Sequence, residues 1–160
     1  MLSTGKTTTH KSSTKQDATA MLKADHKLVA SLFSDYEITS SVAKKKQLVE
    51  EICKELTIHA QIEEEIFYPA VQTALKDHEL VPEATIEHKT LKNLISEVKG
   101  VEPNGDMFDA KIKVLSEYVK HHVKEEEGEM FPEAKSSKLD MTELGVLMAE
   151  RKLQLSEKYS

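Results

Sequence analysis

The sequence predicts an all-α protein: an up-down-up-down four-helix bundle with an additional short C-terminal helix. Three observations carry that expectation. Breakers are scarce, with 5 glycines and 4 prolines in 160 residues, while Ala, Leu, Glu and Lys, which lose little on entering a helix, are plentiful. Apolar residues recur at spacings of three and four, and no strictly alternating segment competes. The connections are short, so successive helices must fold back on one another.

Residues 1–16, MLSTGKTTTHKSSTKQ, hold no acid and almost nothing apolar. They read as a disordered tail, without the apolar stretch of a secretory signal, and His10 within them is given no role. The first helix is expected from about Asp17 to Thr39, with Leu22, His26, Val29 and Phe33 on one face. The second follows Ser40 and Ser41 and runs to about Lys76, its inward face reading Val49, Ile52, Leu56, His59, Glu63 and Ile66. The third begins near Pro82, a good first-turn residue, and carries Ala84, His88, Leu91, Ile95 and Val98. GVEPNG, Gly100 to Gly105, is the clearest loop. The fourth runs from about Asp106 to Ala134, with Leu115, Tyr118, Val119, His122 and Glu126 on one face. Asp140 and Glu143 form a capping pair for a fifth helix at about 139–158, which offers Leu144, Leu147, Met148, Arg151 and Leu155 to cover one end or side of the bundle. One domain, 17–160, is expected, with its core bundle at 17–135.

A formal charge of −6 argues against nucleic acid as the main partner, because phosphate recognition needs a concentrated basic face. The basic run Lys44 to Lys46 sits in a polar setting and reads as a solvated helix start. The single Cys53 excludes an internal disulfide, fits a reducing, cytoplasmic compartment and reads as a small helix residue, partly buried. No apolar run approaches the roughly 18 residues that span a membrane.

The chain repeats itself. HAQIEEEIFYP at 59–69 is echoed by HVKEEEGEMFP at 122–132. The step from His59 to His122 recurs unchanged from Glu63 to Glu126 and from Pro69 to Pro132, and the step from His26 to His88 is one position shorter. Two helix hairpins are therefore expected in a pseudo-twofold arrangement, each with a His on its first helix and His-x-x-x-Glu on its second. A lone His-x-x-x-Glu means little in a chain with 28 acids. His121 has such a partner in Glu125, and the usual meaning is a surface contact along a helix. What sets the six residues apart is their face. His26, His59, Glu63, His88, His122 and Glu126 all sit three or four positions from core residues, and two buried glutamates cannot stay ionised without partners. Imidazole and carboxylate together suit iron, zinc or manganese. Residues four apart on a helix reach the same point, so the symmetric solution is a dinuclear centre with two bridging glutamates.

The prolines fix the register, since Pro69 follows His59 at the same distance as Pro132 follows His122. That makes His122 the inward histidine and leaves His121 exposed or outside the ligand set. His78 reads as a loop residue. Glu64, Glu65, Glu125 and Glu127 read as solvated charge. Tyr118 reads as a core tyrosine. Pro69 and Pro132 are expected to kink or end their helices, with Phe67, Tyr68 and Phe131 closing an apolar shell.

At these residues the sequence resembles the hemerythrin family, in its single-domain bacterial form with the HHE cation-binding pattern. The matching pieces are Asp25-His26, 59–69, Glu87-His88 and 121–132, in the family's order over about 17–135. The resemblance implies two iron ions in an oxo- or hydroxo-bridged di-iron centre with His26, His59, Glu63, His88, His122 and Glu126 as metal ligands. Small partners are implied: O2, nitric oxide or peroxide (H2O2), with no nucleic acid, no membrane, and a monomer or weak homodimer. One departure matters. The family's oxygen carriers have five histidines, two of them four apart on the third helix, whereas here Ala84 precedes and Lys92 follows His88. Two six-coordinate irons offer about twelve positions, and roughly two are left open, which points toward reactivity or sensing rather than reversible oxygen carriage.

The favoured function is a non-haem di-iron protein that binds, senses or reacts with these molecules. The alternative is a di-iron enzyme that breaks down peroxide or delivers iron for iron–sulfur cluster repair. A metal-gated interaction module and a metal-free structural bundle are the remaining readings. Ferritin-like chemistry fits poorly, since that class uses Glu-x-x-His.

Overall fold

The computed structural model describes residues 16–160, and the expected tail, with His10, lies almost wholly outside them. The described residues are helical throughout, without a strand. The helices are α1 (Ala18–Ile38), α2 (Val42–Ile62), α3 (Tyr68–Leu75), α4 (Leu80–Val98), α5 (Gly105–Glu125), α6 (Phe131–Ser136) and α7 (Met141–Lys158). π-helical turns at Glu63–Phe67 and Glu126–Met130 join α2 to α3 and α5 to α6. Each pair therefore runs as one long helix, and the four-helix architecture holds with α7 as the fifth helix.

Local chemistry sets the ends. Asp17 accepts from the Ala20 amide at 2.9 Å, Ser41 from Lys44 at 3.2 Å and Asp140 from Glu143 at 3.0 Å, capping α1, α2 and α7. Asp77 accepts from the Leu80 and Val81 amides at 3.1 and 2.7 Å, so α4 starts two residues before Pro82, which lies within the first turn where no amide is needed. Lys76 ends α3 in the left-handed region with φ 50°.

Pro69 and Pro132 neither end nor break their helices. A proline in an α-helix lacks the amide for the bond four residues back, and its ring presses on that carbonyl. Here the ladder widens just before each proline. The Tyr68 amide reaches the Glu63 carbonyl and the Phe131 amide reaches that of Glu126, each five residues back. One extra residue is absorbed in each turn, and the helix continues.

The interior has two apolar layers. One gathers Leu22, Ile58, Ile62, Phe67, Val71, Phe131, Met148 and Leu155. The other gathers Val29, Phe33, Ile52, Leu56, Leu91, Ile95, Leu115 and Val119. Each of the four inward histidines falls along its helix between a residue of one layer and a residue of the other: His26 between Leu22 and Val29, His59 between Leu56 and Ile62, His88 between Ala84 and Leu91, His122 between Val119 and Met130. The polar cluster thus lies between two layers of hydrocarbon. Cys53 is buried, and burial pushes its thiol up to about 11. Helix α7 packs against α1 and α2. A Cβ on Gly145 would come within 2.3 Å of the Gln16 carbonyl, so only glycine lets these backbones touch. Leu147, one of the residues α7 was expected to offer to the bundle, faces outward, 49% exposed. No helix among the described residues is long and apolar enough to cross a membrane.

Candidate metal centre

The repeat brings all six expected residues to one point. His59 Nε2 lies 3.1 Å and His88 Nε2 3.2 Å from Glu63 Oε1. His26 Nε2 lies 3.2 Å from Glu126 Oε1, and His122 Nε2 lies 3.0 Å from Glu126 Oε2. Glu63 is fully buried and Glu126 is 2% exposed. Donor atoms cluster in two overlapping groups, Glu63–His88–His122–Glu126 and His26–His59–Glu126. Nε2 of His26 and His59 and Oε1 of Glu63 and Glu126 approach an opposite group at 3.1 to 3.2 Å without hydrogen-bond geometry, and Glu63 Oε2 has no partner. Buried polar atoms of native proteins are nearly always partnered, so this concentration of orphans fits a cation-filled site.

Behind each imidazole stands a carboxylate. His26 Nδ1 meets Glu127 at 2.9 Å, His59 Nδ1 meets Asp25 at 2.9 Å, His88 Nδ1 meets Glu64 at 3.3 Å and His122 Nδ1 meets Glu87 at 2.8 Å. An Nδ1–H held this way directs the bare Nε2 inward and makes it more basic, the usual outer support of a metal-bound histidine. Asp25 also accepts from Lys152 of α7 at 2.5 Å, and Glu64 accepts from Lys92 at 2.5 Å. Glu64 and Glu127 are therefore not the solvated charges expected from their place in an acidic run. A signal for them was present. Asp25 to Glu87 repeats the step from His26 to His88, Glu64 to Glu127 repeats the step from Glu63 to Glu126, and each adjoins one of the six. Glu65 and Glu125 do stay at the surface, paired with Arg151 at 2.7 Å and His121 at 3.1 Å. His121 is exposed, and His78 lies in the α3–α4 connection.

Tyr68 is a seventh participant that the sequence reading placed only in the apolar shell. Its hydroxyl donates to Glu126 Oε2 at 2.5 Å and lies 3.0 Å from His88 Nε2 and 3.3 Å from His122 Nε2. Tyr118 packs instead against the second apolar layer. The counterpart of Tyr68 in the other hairpin, just before Pro132, is Phe131, whose ring stacks on His26 at 5.9 Å.

The electrostatics show what the bare donor set demands. Burial alone would lower the basicity of His59, but the charges of Glu63 and Asp25 overcome it and hold the imidazole well above its usual range. Burial opposes His122 likewise, and Glu126 with Glu87 push it up to about 10. Burial would raise Glu126, but His122 and His26 hold it well below the carboxylate range. Burial, with the Glu63 and Glu126 charges, keeps the Tyr68 phenol protonated far above its normal value. In the absence of metal, protons on imidazole balance the buried carboxylates.

The Hemerythrin HHE cation binding domain pattern matches residues 17–134. The chain belongs to the hemerythrin HHE cation-binding family. A solved HHE cation binding domain-containing protein from Mycobacterium kansasii superposes with a TM-score of 0.75 at 26% identity, covering 89% of each chain. A protein named DNA nickase from Nostoc sp. is 30% identical over 121 residues, 74% of this chain. The chain spans 34% of that relative's length.

Proposed function

We propose that this HHE protein is a non-haem di-iron protein that binds, senses or reacts with O2, peroxide or nitric oxide, its two irons held by His26, His59, Glu63, His88, His122 and Glu126. The observation that carries the reading is the convergence of orphaned buried donors from two symmetric hairpins. Two cations would satisfy all of these atoms together, whereas a buried carboxylate left alone costs several kcal/mol. Bound iron would supply Lewis acidity and single-electron exchange with a small oxidant. The chain's own part is to hold that chemistry in place. Asp25, Glu64, Glu87 and Glu127 fix the imidazole tautomers, Glu126 belongs to both donor groups, and Glu63 meets His59 and His88. The Tyr68 hydroxyl fills the side left without a fifth histidine, beside His88 and His122. Phe131 offers no donor on the His26–His59 side, so an exchangeable position on bound iron would be expected there.

Peroxide turnover is the second reading, favoured by a cavity that reaches all four histidines. Strand cleavage, raised by the name of the Nostoc relative, finds no support in a chain with a formal charge of −6. The deciding experiment is metal analysis of protein purified in air after iron-replete expression, with near-ultraviolet spectra before and after azide, peroxide or nitric oxide. Two irons per chain and a ligand-sensitive spectrum are expected. One zinc per chain would sink the proposal. Steady-state peroxide consumption separates the enzyme from the binder.

A further inference from the structure

We propose that the cavity beside the histidines binds a small amphiphilic anion: a carboxylate with an apolar chain of about six to ten carbons, scaled to the cavity volume. The inference rests on the histidine cluster being the working face of the protein. The cavity encloses about 270 Å³. At ~30 Å³ per water that is room for about nine waters, several times what a diatomic gas or hydrogen peroxide occupies. Its wall is Leu56, Leu91, Ile95, Val119 and Val123, and its inner end is formed by His26, His59, His88 and His122. A space lined in this way gains from hydrocarbon and little from bulk water.

Charge gives the second half of the identification. Lys92 and Lys99 line the cavity, and no Asp or Glu does, although acids outnumber bases in the chain 28 to 22. Lys92 is engaged by Glu64 at 2.5 Å, which leaves exposed Lys99 as the charge an incoming anion meets. A second approach to the centre has the reverse character. It is a crevice of about 20 Å³ lined by Glu83, Glu87, Glu125 and Glu129 without a single Lys or Arg. An anion is repelled there and admitted at the lysines. At Thr57 and Lys99 the cavity adjoins a groove of about 670 Å³ that carries Glu50, Glu51 and Glu55 as well as Lys46 and Lys54, so the positive character belongs to the mouth at Lys99 and not to the groove beyond it. The occupant therefore lies with its apolar chain against the aliphatic wall and its carboxylate at Lys99.

The test titrates sodium octanoate, sodium butyrate and 1-octanol into the full chain as purified, by calorimetry, with iron content measured on the same samples. Octanoate should bind at least tenfold tighter than butyrate, which carries the same carboxylate on half the tail, and at least threefold tighter than octanol. Ser96→Trp, an exposed position at the mouth, should weaken octanoate at least tenfold without disturbing the core. Lys99→Glu should weaken octanoate at least threefold and leave octanol unchanged. Equal affinity for octanoate and butyrate would place the binding on the carboxylate alone and overturn the proposal, as would an unaffected Ser96→Trp or Lys99→Glu variant. Chain-length-dependent binding in samples that hold no iron would support the cavity while striking down the di-iron reading, so the two stand or fall separately.

Discussion

Tyr68 and Phe131 occupy the same step of the two hairpins, each immediately before a proline and at the end of a π turn. Around them the halves match closely. His26–Glu127 is answered by His88–Glu64, and His59–Asp25 by His122–Glu87. Yet the tyrosine puts a hydroxyl among His88, His122 and Glu126, while the phenylalanine lays a bare ring on His26. Symmetry supplies two equivalent sets of donors, and one oxygen atom makes them inequivalent. The proposed dinuclear site, holding two metals but admitting one external ligand, would need that kind of difference.

The largest expected effect tests the symmetric part. Glu126→Ala removes a carboxylate shared by both donor groups and should cost at least half of the bound metal, whereas Glu125→Ala, at the surface, should leave metal content unchanged. Equal metal content by atomic absorption would show that the wrong face of the helix has been assigned.

The asymmetric part is next. Tyr68→Phe makes the halves alike and should open a second exchangeable position, raising azide bound per chain from about one to about two at saturation, by the coordination count. Phe131→Tyr should lower azide affinity instead. Unchanged azide binding in both variants would mean that neither ring borders the open position.

Acidity should act oppositely on the loaded and metal-free protein. Without metal, the raised His59, His88 and His122 contribute stability fully below the usual histidine range and lose it as pH rises, for His122 up to about 10. The lowered Asp25, Glu64 and Glu126 contribute above the carboxylate range and lose it in acid. With metal, the same imidazoles must be neutral, so protons compete and metal is lost as pH falls. Thermal melts from about pH 6 to pH 9, across the histidine range, should show the gap between loaded and metal-free Tm widening with pH. A constant gap would contradict the donor assignment.

The smallest effect concerns the lysines. Asp25 and Glu64 each have one, whereas Ala30 stands in the first hairpin where Lys92 stands in the second, and Glu127 accordingly shows no lysine partner among the described residues. Lys152→Ala and Lys92→Ala should each lower metal affinity by about tenfold or less, the lower end for outer-sphere partners. A larger loss than in Glu127→Ala would invert that ranking.

Much of this was legible in the sequence because the signal was doubled. A single repeat step, constant to within one position, aligned six donors, and helical periodicity put them inward, so the bundle and its convergent cluster could be read together. The outer carboxylates obey the same repeat, but within acidic runs such as Glu63 to Glu65 nothing in composition separates a buried partner from a solvated neighbour. Tyr68 was hidden for another reason. After His59 and Glu63, α winding would not bring it to the centre, and only the π turn, itself a response to Pro69, rotates its hydroxyl inward. Leu147 shows the ordinary limit, since a helix covering the flank of a bundle need not bury every apolar residue it carries.

The π turns also fix a count. Each holds one residue more than α winding would. Removing a single residue between Glu63 and Tyr68 would only return the turn to α winding at about 3.6 residues per turn, whereas adding one would swing all that follows by about 100°. His59 and Glu63 would stay where they are, the Tyr68 hydroxyl would leave Glu126, and α3 would turn a different side to the core. The interval from glutamate to proline is thus as much a part of the site as either residue, yet no substitution can reveal it, because every substitution preserves length. In this chain part of the chemistry is written as arithmetic, and the change that exposes it is an insertion of one.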